Sequence, residues 1–499
     1  MNAQIDAPAP PRYDGAVARF SYRFWLAFVV VPALLIVGGG SFLGWRQSVP
    51  GVRAEFEPPP RYVGLKTPVA LTLTAARGGV ASAELRLVQG QGRVVLARQT
   101  FSGGAGQQRI QLTVEGPGLG LREGGATLEV FARDGFWRPL RVDDRPVLTL
   151  PVTLDLTPPS LEVVASTRYL AQGGGGLVVF RAKGAARLGV NAGGLFLPAY
   201  PVGAPDSGLY AAMLALPWDA PTSTPIAVTA QDEAGNAASR PVPSEIKLRR
   251  FPEGVVDLKP EFLAAKLPEL LPGRGAIPSD QVVPAFLTVN RDLRRAAEQT
   301  KRELGARSEP RPLWQGAFVQ PRNTKVFSNF AETRVYRYQG RDVDTQVHLG
   351  YDLASVKQSP VPAANSGRVV FAGPLTIYGN TVVVDHGLGL QTLYAHLSAM
   401  SVKEGDPIEK GQELGRSGAT GLALGDHLHY EVLIHGISVT PLEWWDGKWI
   451  RDHIGRPLRE ANVALLETEQ PATATEEPAA TPVRKRRPAG AGGPPRGTR

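Results

Sequence analysis

The sequence predicts a mainly β protein. It reads as two tandem β-sandwiches, a short helical connector and a compact antiparallel β domain, all behind an N-terminal transmembrane helix. Three observations predict this. Glycine and proline supply 56 and 44 of the 499 residues, roughly a fifth where about 12% is ordinary, and both weaken helix interiors. Apolar and polar residues alternate at period two through long stretches, the pattern of half-buried strands. One run of 22 residues near the N-terminus carries no charge. Hydrophobic residues make up 43% of the chain, so there is material for folded cores and full disorder is excluded.

The uncharged run is residues 24–45, FWLAFVVVPALLIVGGGSFLGW. A spanning helix needs about 20 apolar residues. Arg23 and Arg46 bracket the run, and Trp25 and Trp45 stand where interfacial aromatics belong. A cleaved signal ending near Gly38–Gly40 is the rival reading; the length of the run favours an anchor. Residues 1–23 then form a short cytoplasmic tail. The long C-terminal region lies outside the cytoplasm, so the expectation is a single-pass protein of the inner (cytoplasmic) membrane with its bulk in the periplasm.

Residues 50–248 read as strands. Alternation is visible at Leu71/Leu73, Leu85/Leu87, Ile110/Leu112/Val114 and Leu128/Val130. An internal echo links Leu128–Asp134 (LEVFARD) with Ile226–Asp232 (IAVTAQD), and its spacing suits sandwich domains of about 100 residues. Asp155-Leu156-Thr157-Pro158-Pro159 reads as the junction, giving domains 50–155 and 156–248. The AQDEAGN and DLTPPSLEV segments resemble bacterial immunoglobulin-like modules. That resemblance implies Ig-like sandwiches serving as spacers or binding modules.

Residues 249–309 differ in texture. Proline breaks at Lys266-Leu267-Pro268 and Leu271-Pro272-Gly273 precede one amphipathic connector helix. Its stripe is Leu293, Ala296, Ala297, Thr300 and Leu304, with the charges between them on a solvated face. The compact domain is placed at 310–450. Residues 451–499, rich in Pro, Ala, Thr, Gly and Arg after about Glu467, read as a largely disordered basic tail. The net charge of +9 owes six of its basic residues to 484–499. The folded part is thus near balance, and no nucleic-acid partner is expected.

There are no cysteines, which excludes disulfide frameworks, thiolate zinc sites and thiol catalysis. All seven histidines, His348, His386, His396, His427, His429, His435 and His453, lie in the last third of the chain. In DHLHYEVLIHG the alternation marks a strand, and residues two apart share a strand face. His427 and His429 therefore form a half-site suited to zinc. His348 and Asp352 also share a face in an extended segment. One His, one Asp and one histidine of the pair make three ligands, and a fourth position left to water marks a catalytic rather than a structural site. The remaining histidines are then free for proton transfer. Spacing alone does not say which of His427 and His429 binds metal.

The motifs from Asn329 to Trp444 resemble the lysostaphin/LytM-type zinc metallopeptidases, which cut peptide bonds in peptidoglycan. They run in order as HLGYDLAS, SGRVVFAG, YGNTVVVDHG, LYAHLS, VKEGDPIEKGQELGRSG and GDHLHYEV. The resemblance implies one zinc ion per catalytic domain, held by His348, Asp352 and His429, with His396 and His427 as the catalytic pair outside the metal shell. It also implies a compact antiparallel β sheet with a groove, peptidoglycan stem or cross-link peptides as substrate, and cell-wall hydrolase or divisome partners. Asp426 and Ala423-Leu424 depart from the family pattern near the groove. A non-catalytic protein that binds peptidoglycan or activates an amidase is the alternative. Asn380 is a candidate substrate contact. Glu431, on the strand face of His429, is a candidate partner behind that ligand. His386 reads as structural, His435 and His453 as exposed, and Trp444 and Trp445 as packing at the domain's end.

Overall fold

The computed structural model describes residues 26–464 except 103, 142 and 143. The expected cytoplasmic tail, Phe24, Trp25 and the basic end of the chain lie outside the described residues. The chain divides into two compact units. The first is residues 1–158 with 232–236, and the second is 159–231 with 237 onward.

The first unit opens with a wide π turn, Leu26–Val30, running into the helix Val31–Ser48. None of that helix is buried against protein. Next comes a core between two sheets. One is three-stranded: Arg53–Phe56, Thr67–Thr74 and Gln107–Val114. The other is five-stranded, in the order Tyr62–Val63, Leu148–Leu154, Gly124–Asp134, Val80–Gln89, Gly92–Thr100. The expected alternation does the packing. Leu71, Leu73, Leu85, Leu87, Leu128 and Val130 are fully buried and meet in one cluster.

The second unit begins with a further pair of sheets, here with four strands each. The strand Gly175–Lys183 sits between Leu209–Ala215 and Ser160–Ser166 in one, and Arg187–Ala192 pairs Ile226–Gln231 in the other. This region is not a free-standing spacer. Its core, with Leu177, Phe180 and Met213, is continuous with that of the C-terminal domain, including Tyr430, Val432 and Trp444. Polar contacts seal the join: Gly175 N donates to Glu443 Oε2 (2.8 Å), and Thr167 Oγ1 donates to His453 O (2.6 Å).

The connector also departs from expectation. Instead of one helix, there is a strand, Glu253–Leu258, and the helices Pro260–Leu270, Val282–Leu287 and Arg294–Gly305, the last two joined through a π turn, Thr288–Leu293. Pro268 lies inside the last turn of the first helix rather than breaking the chain before it. The strand pairs in parallel with Glu332–Tyr338, which pairs antiparallel with Arg341–His348. Phe286, Val289, Ala297 and Leu304 pack with Tyr378, Val383 and Leu393. The segment is thus built into the C-terminal domain. The buried stripe is Ala297, Lys301 and Leu304, while Ala296 is exposed.

The domain's main sheet has eight antiparallel strands. Lys325–Ser328, Tyr351–Ala354, Leu428–Ile434, Leu390–Ala395, Asn380–Gly387, Gly367–Pro374 and Pro407–Ile408 follow in spatial order, with Ile437–Val439 paired to Leu428–Ile434. Folded structure continues past residue 450: helical turns span Arg451–Gly455 and Arg456–Glu460 and bury Ile454 and Leu458 in the shared core. The boundary expected at 450 is therefore too early, because these apolar residues recur at helical spacing and find a surface on the preceding β region. His435 is buried rather than exposed, stacked on Tyr200, and His453 is half-buried against Trp449.

Candidate metal centre and cleft

Three neighbouring segments of chain build the centre. His348 ends the strand Arg341–His348, Asp352 lies in Tyr351–Ala354, and His429 lies in Leu428–Ile434. Register places Asp352 directly opposite His429. Gly350 makes room for this: a Cβ there would stand 2.7 Å from the His429 ring, closer than real side chains approach.

His348 Nε2, Asp352 Oδ1 and His429 Nδ1 lie 2.9–3.0 Å from one another. Among the described residues they are the one group of three such atoms that converges. The other ring nitrogens are committed elsewhere. His348 Nδ1 donates to Asn329 O (2.9 Å), and His429 Nε2 donates to Glu431 Oε1 (2.9 Å). With those tautomers, two nitrogen lone pairs and a carboxylate oxygen face one point. Lone pairs so close repel unless a cation lies among them. Tetrahedral zinc with bonds near 2.0 Å separates its ligands by about 3.3 Å, so the donor set fits zinc with shifts of a few tenths of an ångström.

All three groups are buried. Burial pulls His348 down, against the pull of Asp352. Burial would raise Asp352, yet His348, His427 and His429 hold it well below the usual carboxylate range. Burial would lower His429, but the neighbouring Asp352 and Glu431 carboxylates outweigh that and raise it.

Two further histidines face the centre. His427 Nδ1 donates to Gly425 O (2.8 Å), and its Nε2 is 3.4 Å from Asp352 Oδ1. His396 Nδ1 donates to Thr420 O (2.8 Å), leaving Nε2 as an acceptor. The two ring centroids are 4.9 Å apart. His396 has φ +61°, an uncommon conformation for a side-chain-bearing residue and one that recurs at functional sites. Burial, then His427 and His429, holds its pKa well below the ordinary value, so its imidazole is neutral.

Glu431 stands behind His429 as its place on the strand predicts. Asn380 is not in the cleft. It opens the strand Asn380–Gly387, its Nδ2 donates to Leu397 O (3.1 Å), and it is absent from the cavity lining. His386 is structural, bonded to Ser366 O and Thr392 Oγ1. Trp444 is fully buried.

Other contributors escaped the spacing argument. Arg334 Nη2 donates to Asp352 Oδ2 (2.7 Å) and leaves Oδ1 to the centre. Lys301, fully buried, donates to Glu431 Oε2 (2.9 Å) and Ser438 Oγ (3.0 Å) and pairs with Glu298 (2.7 Å). Tyr378 Oη donates to Glu431 Oε1 (2.6 Å). The signal for Lys301 was its spacing: four after Ala297 and three before Leu304, it sits on the helix's apolar face. A cavity of about 370 Å³ opens over the centre. Its walls include Val256, Phe262 and Arg294 from the connector and Phe327, Tyr336 and Leu424 from the domain.

The description Peptidase family M23 matches residues 346–441. DD-carboxypeptidase/endopeptidase Mpg of Neisseria meningitidis serogroup B is 43% identical over 97 residues, covering 19% of this chain and 22% of that protein. Peptidoglycan DD-endopeptidase ShyA of Vibrio cholerae serotype O1 is 36% identical over 119 residues, covering 24% and 27%. Stage II sporulation protein Q of Bacillus subtilis, whose name carries no hydrolytic activity, is 38% identical over 101 residues, covering 19% and 36%. The chain spans about a quarter of the length of the first two relatives.

Proposed function

With residues 346–441 forming a peptidase family M23 domain, we propose that the chain is a zinc-dependent endopeptidase that hydrolyses peptide bonds of peptidoglycan. The observation that carries this reading is the convergence of His348 Nε2, Asp352 Oδ1 and His429 Nδ1, with His396 and His427 facing the same point. His348, Asp352 and His429 hold the metal. A bound zinc ion supplies Lewis acidity to a water and to the scissile carbonyl. His427 and His396 take the proton of the attacking water and return one to the leaving amine, each with its Nδ1–H anchored on a backbone carbonyl and its Nε2 turned toward the centre, that of His427 3.4 Å from Asp352 Oδ1. Arg334 and Glu431 hold Asp352 and His429 in orientation. The apolar cleft walls strip water from the substrate peptide. Residues 24–45 anchor the protein in the inner membrane, with the β regions as Ig-like modules on the periplasmic side.

The test uses the full chain in detergent micelles with isolated sacculi. Products are read by mass spectrometry, with zinc present, chelated and restored. The reading expects zinc-dependent release of cleaved peptides by the intact chain and none by His427→Ala. A zinc-loaded chain that cuts nothing, yet stimulates an added amidase, would replace it with the activator reading.

A further inference from the structure

The hydrophobic helix does not end in a free linker. Its last turn is bonded to the 135–141 loop of the same unit. Arg46 Nε donates to Trp137 O (2.9 Å), Gln47 Nε2 to Leu140 O (3.1 Å), and Leu140 N to Gln47 Oε1 (3.1 Å). Arg138 donates to Val49 O (3.1 Å) and Pro50 O (2.8 Å) while its guanidinium pairs with the buried Asp134. Trp45 meets Phe136 edge-on at 6.2 Å, and the Arg46 guanidinium lies 4.2 Å over the Phe136 ring. These contacts hold the loop at the level of Trp45.

The loop then presents two large apolar side chains to solvent: Trp137, 55% exposed, and Leu140, 75% exposed. Both sit beside a helix whose own apolar side chains are exposed throughout. The exposed Arg77 lies over the Trp45 ring at 5.2 Å. Exposed Trp and Leu beside a cation, at the end of an apolar helix, match the chemistry of the headgroup region. There aromatic and aliphatic groups enter the acyl boundary and guanidinium groups meet phosphates.

We propose that the 135–141 loop is a membrane-seated collar: Trp137 and Leu140 insert into the outer interface of the bilayer crossed by the 26–48 helix. The occupant of this surface is lipid. The inference rests on the membrane part of the proposed function and is independent of the peptidase chemistry. Its consequence is mechanical. With two insertions beside the span, the first β unit is held against the membrane rather than swinging on a hinge at residue 49.

The chain has no native cysteine, so single nitroxide labels can be placed on the full-length protein. Leu140→Cys and Trp137→Cys are labelled in liposomes of zwitterionic and anionic phospholipid, with Leu35→Cys as the mid-span reference and Leu248→Cys as the water reference. Collision with oxygen and with a nickel chelate is measured by electron paramagnetic resonance. The proposal expects labels at 137 and 140 to lose most of the nickel collisions seen at 248 and to gain oxygen collisions toward the value at 35. Full nickel access at 137 and 140 with position 35 protected overturns the collar and leaves the span intact. Nickel access at position 35 overturns the span itself and the collar with it. Spin–spin broadening at 140 without oxygen gain assigns the surface to a second copy of the chain and overturns the lipid assignment.

Discussion

Lys301 and Glu431 form a salt bridge of 2.9 Å with both side chains fully buried. It ties the helix Arg294–Gly305 to the strand that carries His429, and Glu431 in turn receives the His429 Nε2 proton (2.9 Å). Burial would lower Lys301, but Glu298 and Glu431 keep it charged. Lys301→Met leaves Glu431 buried without its counter-charge, a loss of about 3–5 kcal/mol. It also loosens the tautomer and orientation of His429, so zinc affinity should fall by about 10–100-fold. Chelator competition reads the affinity, and thermal unfolding of the apo and zinc forms separates it from stability. Adding Glu431→Gln should recover much of the stability without recovering the zinc affinity. Recovery of both would make Lys301 a stability residue only.

The five polar groups of the centre should divide into two classes. Asp352→Asn and His348→Ala remove donors and should abolish stoichiometric zinc. His396→Ala and His427→Ala should retain zinc and slow peptide release by about 10²–10⁴-fold. Metal analysis beside product analysis checks this. Loss of zinc in His427→Ala would move that histidine into the metal shell.

Gly350→Ala places a methyl group 2.7 Å from the His429 ring and from Tyr430 O. The ring must tilt away from Asp352 and Glu431, so zinc affinity should drop although no ligand is changed. Chelator competition on the purified variant tests it. Unchanged affinity would mean that the Leu428–Ile434 strand yields at little cost.

Glu443 links the β region of the second unit to its C-terminal domain. Burial pushes its carboxyl up to about 7, against the pulls of Gly175 N–H and Arg249. A folded-state pKa above the unfolded value near 4.5 means the native state binds more protons between those values. The stability contribution is therefore present at and below pH 4.5 and is lost as pH rises through about 7. The change approaches about 3 kcal/mol, at 1.36 kcal/mol per unit. Thermal unfolding from pH 4.5 to 7.5 should show this loss in the native chain and a flatter profile in Glu443→Gln. Parallel profiles would remove Glu443 as the source.

Much of the centre was legible because its determinants are short-range. The spacing of His429 and Glu431 along one strand, with His427 in the bridge just before it, places them on one face, and clustering of all seven histidines in one region pointed to a single site. The alternation at Leu85/Leu87 and Leu128/Val130 likewise follows from the strand's two-residue period and packs as expected. Asn380 lies outside the cavity lining with its side-chain amide bonded to Leu397 O, a partner 17 residues away that no motif position reveals. Lys301 was read as a solvated charge because a charged side chain between apolar ones is ordinarily exposed.

The sequence by itself determined the strands, the long apolar helix and the residue types of the candidate metal centre, since local periodicity and spacing encode them directly. Only the tertiary structure decided that Lys301 is buried, that Arg334 takes the second oxygen of Asp352, and that the connector walls the cleft. Glu431 lies 130 residues from Lys301 in the chain. Whether such charges meet depends on which surfaces are desolvated together when the sheet closes, and no local pattern carries that information.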